Sequence, residues 1–286
     1  MVKVAIVPNY SRQEAVLDAS RLTEFLEKQS IEVVWAPDKK KTNVIPLDVD
    51  NTDLVISLGG DGTLLRAAKI TGYREIPILG LSYGHLGFLT SAGPDELQTM
   101  VQRALAGELH VSRRATLQIT SLFLDERGQE IELHNFALND FSLSHGSKGD
   151  MIVFNVDVSG HHIDTLRGDG FVVATATGST GYALAAGGPI VTPTFTGMLC
   201  VPVAPHTILA RAFLTASSDV VEISISTERN VERLFFADGQ PLGANLTPLS
   251  AKITRGQGDI LLLEASPSSF YQSVSRVFYG QASHDR

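Results

Sequence analysis

Apolar residues recur along the first hundred positions in two alternating patterns. Val2 to Val7 is a short, β-branched run closed by Pro8 and reads as a buried strand. Ser11 stands where a helix cap is expected, ahead of Ala15, Val16, Ala19, Leu22, Phe25 and Leu26, which recur at three and four residues as one stripe. Ile31 to Trp35 predicts a second strand, and Asp53 to Leu58 a third that ends in Gly59-Gly60. Thr63 to Ile70 predicts a helix stopped at Gly72, Pro77 to Leu81 a fourth strand, and Asp95 to Ala106 a helix followed by Gly107. Strands alternating with helices imply a parallel sheet with helices on its faces.

From about Arg113 the period changes to two. Leu117, Ile119 and Ser121 alternate with their neighbours up to the turn Asp125 to Gly128, and Glu130 to Leu143 reads as the returning partner strand. Ile152, Phe154, Val156 and Val158 repeat the pattern before the turn Ser159-Gly160. Further strands are expected at Leu199 to Val203, Val220 to Ser226, Arg233 to Ala237 and Ile260 to Leu263. This half predicts a sandwich or two packed sheets. Ser269 to Tyr279 predicts a short terminal helix. The expected fold is thus an α/β N-terminal domain with a parallel sheet (residues 1–112), a mostly antiparallel β C-terminal domain (113–264) and a tail (265–286).

A length of 286 residues agrees with about two domains. With 43% hydrophobic and 19% charged residues the chain is no disordered protein. Lys and Arg number 23 against 31 Asp and Glu, a net charge of -8, which opposes a nucleic-acid partner because such binding rests on basic residues neutralising phosphates. Any polyanion must be held by a local site. The single Cys200 allows no internal disulfide, and no apolar run reaches the ~18 residues of a membrane span. The expectation is a cytoplasmic protein with no membrane partner.

Candidate chemistry sits in two glycine-rich stretches. Gly59, Gly60, Asp61, Gly62 and Thr63 lie between a buried strand and a helix start, where open α/β sheets bind ligands. Glycines let a phosphate approach the backbone, and the helix directs its free N–H groups at the anion. A carboxylate in such a cradle is unhelpful unless it coordinates a cation or takes a proton; the plain alternative is a glycine turn with Asp61 capping the helix. The second stretch runs Arg167-Gly168-Asp169-Gly170, then Thr175 to Tyr182, then Ala185 to Pro189. Small hydroxylated residues around glycines offer donors without bulk, and Tyr182 could pack on a base. A connection of roughly 20 residues with little strand or helix pattern is usually functional when ordered.

The sequence resembles the NAD kinase family in four blocks that occur in the family's order. These are Gly59 to Thr63; Leu86-Gly87-Phe88-Leu89; Asn139-Asp140; and Gly168-Asp169-Gly170 leading into Thr177-Gly178-Ser179-Thr180, Gly187-Gly188-Pro189 and Pro205-His206. The resemblance implies phosphoryl transfer from ATP, or from polyphosphate in some members, to the 2′-hydroxyl of the adenosine ribose of NAD. It also implies Mg²⁺ or another divalent cation with ATP, assembly as a homodimer or homotetramer, and a tail returning to the N-terminal domain. Asp61 falls on the general-base position, with Gly59, Gly60, Gly62 and Thr63 at the phosphates and no residue assigned as a standing metal ligand. Asn139, Asp140, Asp169, Thr177, Thr180, Gly181 and Tyr182 fall on dinucleotide-binding positions, with Arg66, Arg167 and Phe88 as further contacts. Asp61 belongs to the α/β half and Asp169 to the β half, so the expected site draws on both.

Four departures stand out: Ser82 replaces the usual Asn ahead of the Leu-Gly-Phe-Leu block, Ala176 a Pro, Gly181 an Ala, and Ala185 a Ser. They are expected to tune affinity. Two alternatives remain at this level. One is a lipid kinase sharing the Gly-Gly-Asp-Gly-Thr turn, which would want an apolar entrance or an interfacial basic patch; no amphipathic basic segment appears in the sequence. The other is a non-catalytic dinucleotide-binding regulator.

Overall fold

The computed structural model describes residues 1–38, 47, 49–84, 87–90, 92–147, 150–226, 231–267 and 269–280. The chain divides into two compact units, Met1–Arg113 with Ile260–Arg286, and Arg114–Asp259. Lys39 to Lys41, a short basic run, and Leu86 lie outside the described residues.

In the first unit β1 (Lys3–Pro8), β2 (Glu32–Trp35), β3 (Leu54–Gly59) and β4 (Pro77–Ser82) run parallel in the order β2-β1-β3-β4. Helix α1 (Gln13–Glu27) connects β1 to β2, and α2 (Asp61–Thr71) connects β3 to β4; α3 (Leu97–Leu105) and β5 (His110–Arg114) follow. All of β3 and the last five residues of β1 are buried, which is why they read as continuous apolar runs. Ala15, Ala19, Leu22 and Leu26 of α1 recur at helical spacing and share one core with Val4, Ile6, Leu54 and Ile56. Arg12, not Ser11, occupies the cap position of α1, and no side chain caps it. Ser11 instead donates its backbone N–H to Asn9 Oδ1 at 3.0 Å, a local turn that wins over the cap.

The second unit holds β6 (Leu117–Leu124), β7 (Glu130–Ala137), β8 (Asp140–His145), β9 (Ile152–Val158), β10 (His161–Gly168) and β11 (Gly170–Ala174). After the short helix α4 (Tyr182–Ala185) come β12 (Leu199–Val203), β13 (Phe213–Leu214), β14 (Val220–Ile225), β15 (Arg233–Ala237), β16 (Gln240–Leu242) and β17 (Thr247–Arg255). They form two antiparallel sheets, β10-β9-β14-β17-β6-β7 and β13-β12-β11-β8-β15-β16. Inward residues of both make one core, with ring pairs across it: Phe123 with Phe235 at 5.7 Å, and Phe154 with Phe171 at 5.9 Å. Ser159 and Gly160 both have positive φ, 51° and 80°, as the tight β9–β10 turn requires.

Two expectations are corrected. Glu130 to Leu143 is not one strand: it breaks at Leu138-Asn139, so that β7 lies in one sheet and β8 in the other. The cause is a remote carboxylate, Asp238, which accepts the backbone N–H groups of Leu138, Asn139 and Asp140 at the crossing. Ile260–Glu264, here β18, does not belong to the β half: it pairs parallel with β4, extending the first sheet between β4 and β5. Every residue of β18 is buried, the unalternating pattern of an inner parallel strand, and the division of the chain therefore falls at Asp259/Ile260 rather than after 264. The terminal helix α5 (Ser269–Val274) and a π turn (Ser275–Tyr279) follow in the first unit. Among the described residues no helix is long and apolar enough to cross a membrane.

Candidate active site

The order β2-β1-β3-β4 reverses between β1 and β3, and ligands of open parallel sheets bind where the order reverses, beyond the carboxyl ends of the strands. A cavity of about 410 Å³ lies there, lined by Asn9, Tyr10 and Arg12 after β1, Gly59 and Gly60 at the end of β3, and Gly62, Thr63 and Arg66 of α2. A Cβ at Gly60 or Gly62 would meet nothing within 4 Å, so the glycines leave the cradle open. Gly59 is closed instead: a Cβ there would fall 2.7 Å from Thr63 Cβ. Arg66 stands over the Tyr10 ring, 5.9 Å from its centre, and donates to the backbone oxygens of Pro8 and Pro37. Arg12 donates to the backbone oxygen of Tyr83.

Asp61 does not cap α2. Gly60 holds the cap position, and no side-chain bond caps the helix. The carboxylate lies against Gly87, where a Cβ would fall 2.6 Å from Asp61 Cγ. Burial pushes its pKa up, opposed by the backbone N–H groups of Phe88 and Leu89. Its Oδ1 is buried with no hydrogen-bond partner. The capping alternative thus fails on geometry, and a partly desolvated carboxylate with a free acceptor remains. The Gly87 segment is itself clasped from outside: Phe88 stacks on Phe278 at 5.8 Å and tilts against Phe270 at 6.2 Å, while Arg276 donates to the Gly87 oxygen at 3.4 Å.

In the second unit the Asn139–Asp140 crossing meets the glycine-rich loop. Thr175 donates its backbone N–H to Asn139 O at 2.8 Å and its hydroxyl to Leu138 O at 2.6 Å, and accepts the Gly178 N–H at 3.1 Å. Gly178 permits this approach, since a Cβ would fall 2.6 Å from the Asn139 carbonyl carbon. Ser179 bonds to Ala176 O and takes the Val191 N–H, and Thr180 donates to Thr177 O, so the loop is ordered by its own hydroxyls. Beneath it Ala176, Ala183 and Val191 pack on Val172, Ala174, Leu199 and Val201. Asp140 is buried, and its pKa is pushed up to about 7 by burial and then by the Asp238 charge. Burial and then the charges of Asp140 and Asp169 push the Tyr182 hydroxyl up as well. Asp169 is fixed between strands by its N–H to Val203 O and by the His145 N–H on its own oxygen.

The sequence-derived residues therefore fall into two groups. Gly59, Gly60, Asp61, Gly62, Thr63, Arg66 and Phe88 gather at the end of the parallel sheet. Asn139, Asp140, Asp169, Thr177, Thr180, Gly181 and Tyr182 gather around the strand crossing. Arg167 joins neither: it is exposed on β10 and lines a separate cavity of about 140 Å³ with Arg233. Residues not foreseen are Asn9, Tyr10, Arg12 and Asp38 of the first cavity, and Asp238 at the crossing. Position after the β1 run could have flagged Asn9 to Arg12; Asp238-Gly239 was visible only as a turn dipeptide.

A doubly wound α/β unit with an acidic glycine cradle at its switch point, joined in sequence to a two-sheet β unit with a Gly/Thr loop, defines a two-unit nucleotide-binding protein. Residues 37–109 match the ATP-NAD kinase N-terminal domain and residues 138–264 the ATP-NAD kinase C-terminal domain. The chain is 34% identical over 286 residues to an NAD kinase of Magnetococcus marinus, covering 96% of this chain and 92% of the relative. It is 36% identical over 245 residues to an NAD kinase of Geobacter metallireducens, covering 84% and 85%. Among solved structures, a yeast NADH kinase complexed with NADH superposes with a TM-score of 0.85 at 20% identity, covering 100% of this chain and 89% of the other. An Archaeoglobus fulgidus NAD kinase in complex with ATP gives 0.74 at 24%, covering 96% and 97%; at these identities both carry the fold alone. The chain belongs to the NAD kinase family of transferases, and the lipid-kinase alternative falls away.

Proposed function

We propose that the chain transfers the γ-phosphoryl group of ATP, or a terminal phosphoryl group of polyphosphate, to the 2′-hydroxyl of the adenosine ribose of NAD, giving NADP. The observation that carries the proposal is the Asp61 carboxylate: half-buried, raised in pKa, with a buried and unpartnered Oδ1, among the glycines that follow the third strand. As the 2′-oxygen attacks, its proton passes to Asp61, the new P–O bond forms, and the bond to the β-phosphate oxygen breaks to release ADP. A raised pKa makes the carboxylate a stronger base near neutral pH. Gly59, Gly60, Gly62, Thr63 and the N-terminus of α2 are assigned to the donor phosphates, with Arg66 as the cation on the cavity wall. Asn139, Asp140, Asp169, Thr177, Thr180, Gly181 and Tyr182 are assigned to the dinucleotide, with Asn139 Oδ1, buried and unpartnered, as an acceptor for a ribose hydroxyl.

A divalent cation fits these residues. No group of three His, Cys, Asp or Glu gathers among the described residues, and a cation carried on a triphosphate takes its ligands largely from phosphate and water, so it needs no protein cage of its own. When bound, it would neutralise charge on the transferring phosphoryl group. Association as a homodimer or homotetramer is supported by the exposed apolar side chains of Ile208, Leu209 and Leu214 on the β unit. A single-chain mass by light scattering at full activity would overturn that part. A cytoplasmic setting is supported by the lone, buried Cys200.

The test is turnover of the purified chain with NAD, Mg²⁺ and either donor, scored by an NADP-specific dehydrogenase. Asp61→Asn keeps shape and loses the proton acceptor, so kcat should fall by ~10²–10⁴-fold while NAD affinity, measured by calorimetry, stays within a few-fold. Near-wild-type turnover would remove Asp61 from the chemistry. NAD binding without NADP formation by the wild type would favour the non-catalytic regulator.

A further inference from the structure

Asp238 lies far from every glycine-rich block, yet its carboxylate is at the centre of the strand crossing. Oδ2 accepts the Leu138 N–H at 2.9 Å; Oδ1 accepts the Asn139 N–H at 2.7 Å and the Asp140 N–H at 3.2 Å. In return the Asp238 N–H donates to Asp140 O at 2.9 Å. Three successive N–H groups converging on one anion form a concave nest, a backbone shape that neither β7 nor β8 could hold as an extended ladder. The residue itself has φ 46° beside Gly239 at 70°, a left-handed conformation that Asp tolerates better than most side chains.

From the other side Thr175 bonds to Leu138 O and Asn139 O, and Gly178 packs on the Asn139 backbone. The crossing is thus held on both faces, and what is left over is the buried, unpartnered Oδ1 of Asn139. A buried acceptor without a partner costs free energy that a ligand hydroxyl would recover.

We propose that Asp238 is a positioning residue for dinucleotide recognition: it fixes the Leu138–Asp140 crossing in the shape that offers the Asn139 amide and the Asp140 carboxyl to the ribose hydroxyls of NAD. The inference rests on the proposed function and deepens it. Asp238 also adds to the effect of burial in holding the Asp140 carboxyl protonated, because the two carboxyls repel. The ionisable groups bearing on Asp140 are Asp238 and Tyr182, with Asp169 acting on Tyr182.

The test is Asp238→Asn, which keeps shape and tolerance of positive φ while removing the charge and turning one acceptor into a donor. The KM for NAD should rise about tenfold, the loss of a charge-assisted hydrogen bond. The KM for ATP should stay within about twofold, since the donor groups sit in the other unit. With Asp238 neutral, the acidic limb of kcat/KM for NAD should move to lower pH by about one unit. A lowered melting temperature with the KM for NAD and the acidic limb both unchanged would overturn the inference, leaving Asp238 a purely structural residue. If Asp238→Asn fails to fold, Asp238→Glu carries the test: it keeps the charge and displaces the carboxylate, so the same NAD-specific rise in KM is expected with the limb in place. An unchanged KM for NAD in that variant would also overturn it. A wild-type chain that makes no NADP fails the proposed function, whereas a working wild type with an indifferent Asp238 fails only this inference.

Discussion

Replacing Gly87 by Ala adds one methyl group directly against the carboxylate assigned to the chemistry. The new Cβ falls 2.6 Å from Asp61 Cγ, and closer still to both carboxylate oxygens. Carbon atoms in contact settle near ~3.5 Å, so the carboxylate must withdraw by about 1 Å. A misplacement of that size in a reacting geometry costs on the order of 10²-fold in rate, or about 2.7 kcal/mol of transition-state stabilisation. Stability should hardly change. The neighbour that gives way is a side-chain end rather than backbone, Gly87 is not in the left-handed region, and Ala lowers the entropy of the unfolded chain by about 0.4–1 kcal/mol. The measurement pairs kcat and KM from NADP formation with thermal melts of both proteins. A fall in kcat of about 10²-fold with the melting temperature within about 2 °C is expected. A kcat within threefold of wild type would refute the placement of Asp61, and a kcat loss accompanied by unfolding would refute the reasoning that separates the two effects.

Asn139→Ala removes the one buried amide oxygen left without a partner at the crossing and should raise the KM for NAD more than that for ATP; equal rises, or a lower melting temperature with both unchanged, would make Asn139 structural. Asp140→Asn tests the pKa of about 7. A carboxyl whose pKa is raised in the folded chain binds its proton more tightly there than when unfolded, so the fold loses stability as pH rises from 3.8 through about 7. The variant lacks this loss and should be more stable than wild type at pH 8, by at most ~4 kcal/mol, with the difference fading towards pH 4. A wild type as stable as the variant at pH 8 would contradict the shift.

The parallel sheet was legible because its strands are buried on both faces and read as unbroken apolar runs; β1, β3 and β4 fall within a residue or two of their expected bounds. The same pattern in β18 was misassigned, because its partner β4 lies far back in the sequence and nothing local names it. β10 was marked only by the turn Ser159-Gly160 ahead of it: most of its side chains are exposed, so no alternation gives its length. In the site, the glycines announced themselves by composition, and Asp61 by its place among them. Asp238 did not, because its work is done on backbone N–H groups about a hundred residues away, a relation that no spacing along the chain encodes. Arg167, beside Gly168, faces outward on its strand, where neighbours alternate between faces.

The proposed reaction places phosphate on one ribose hydroxyl of NAD with Asp61 as the proton acceptor. Phosphorus NMR of a reaction mixture of NAD, ATP, Mg²⁺ and the purified chain reads the bond that forms. The predicted result is a new 2′-phosphomonoester resonance growing in step with ADP, and absent with Asp61→Asn. ADP and inorganic phosphate without that resonance, or the resonance appearing undiminished with Asp61→Asn, would contradict it.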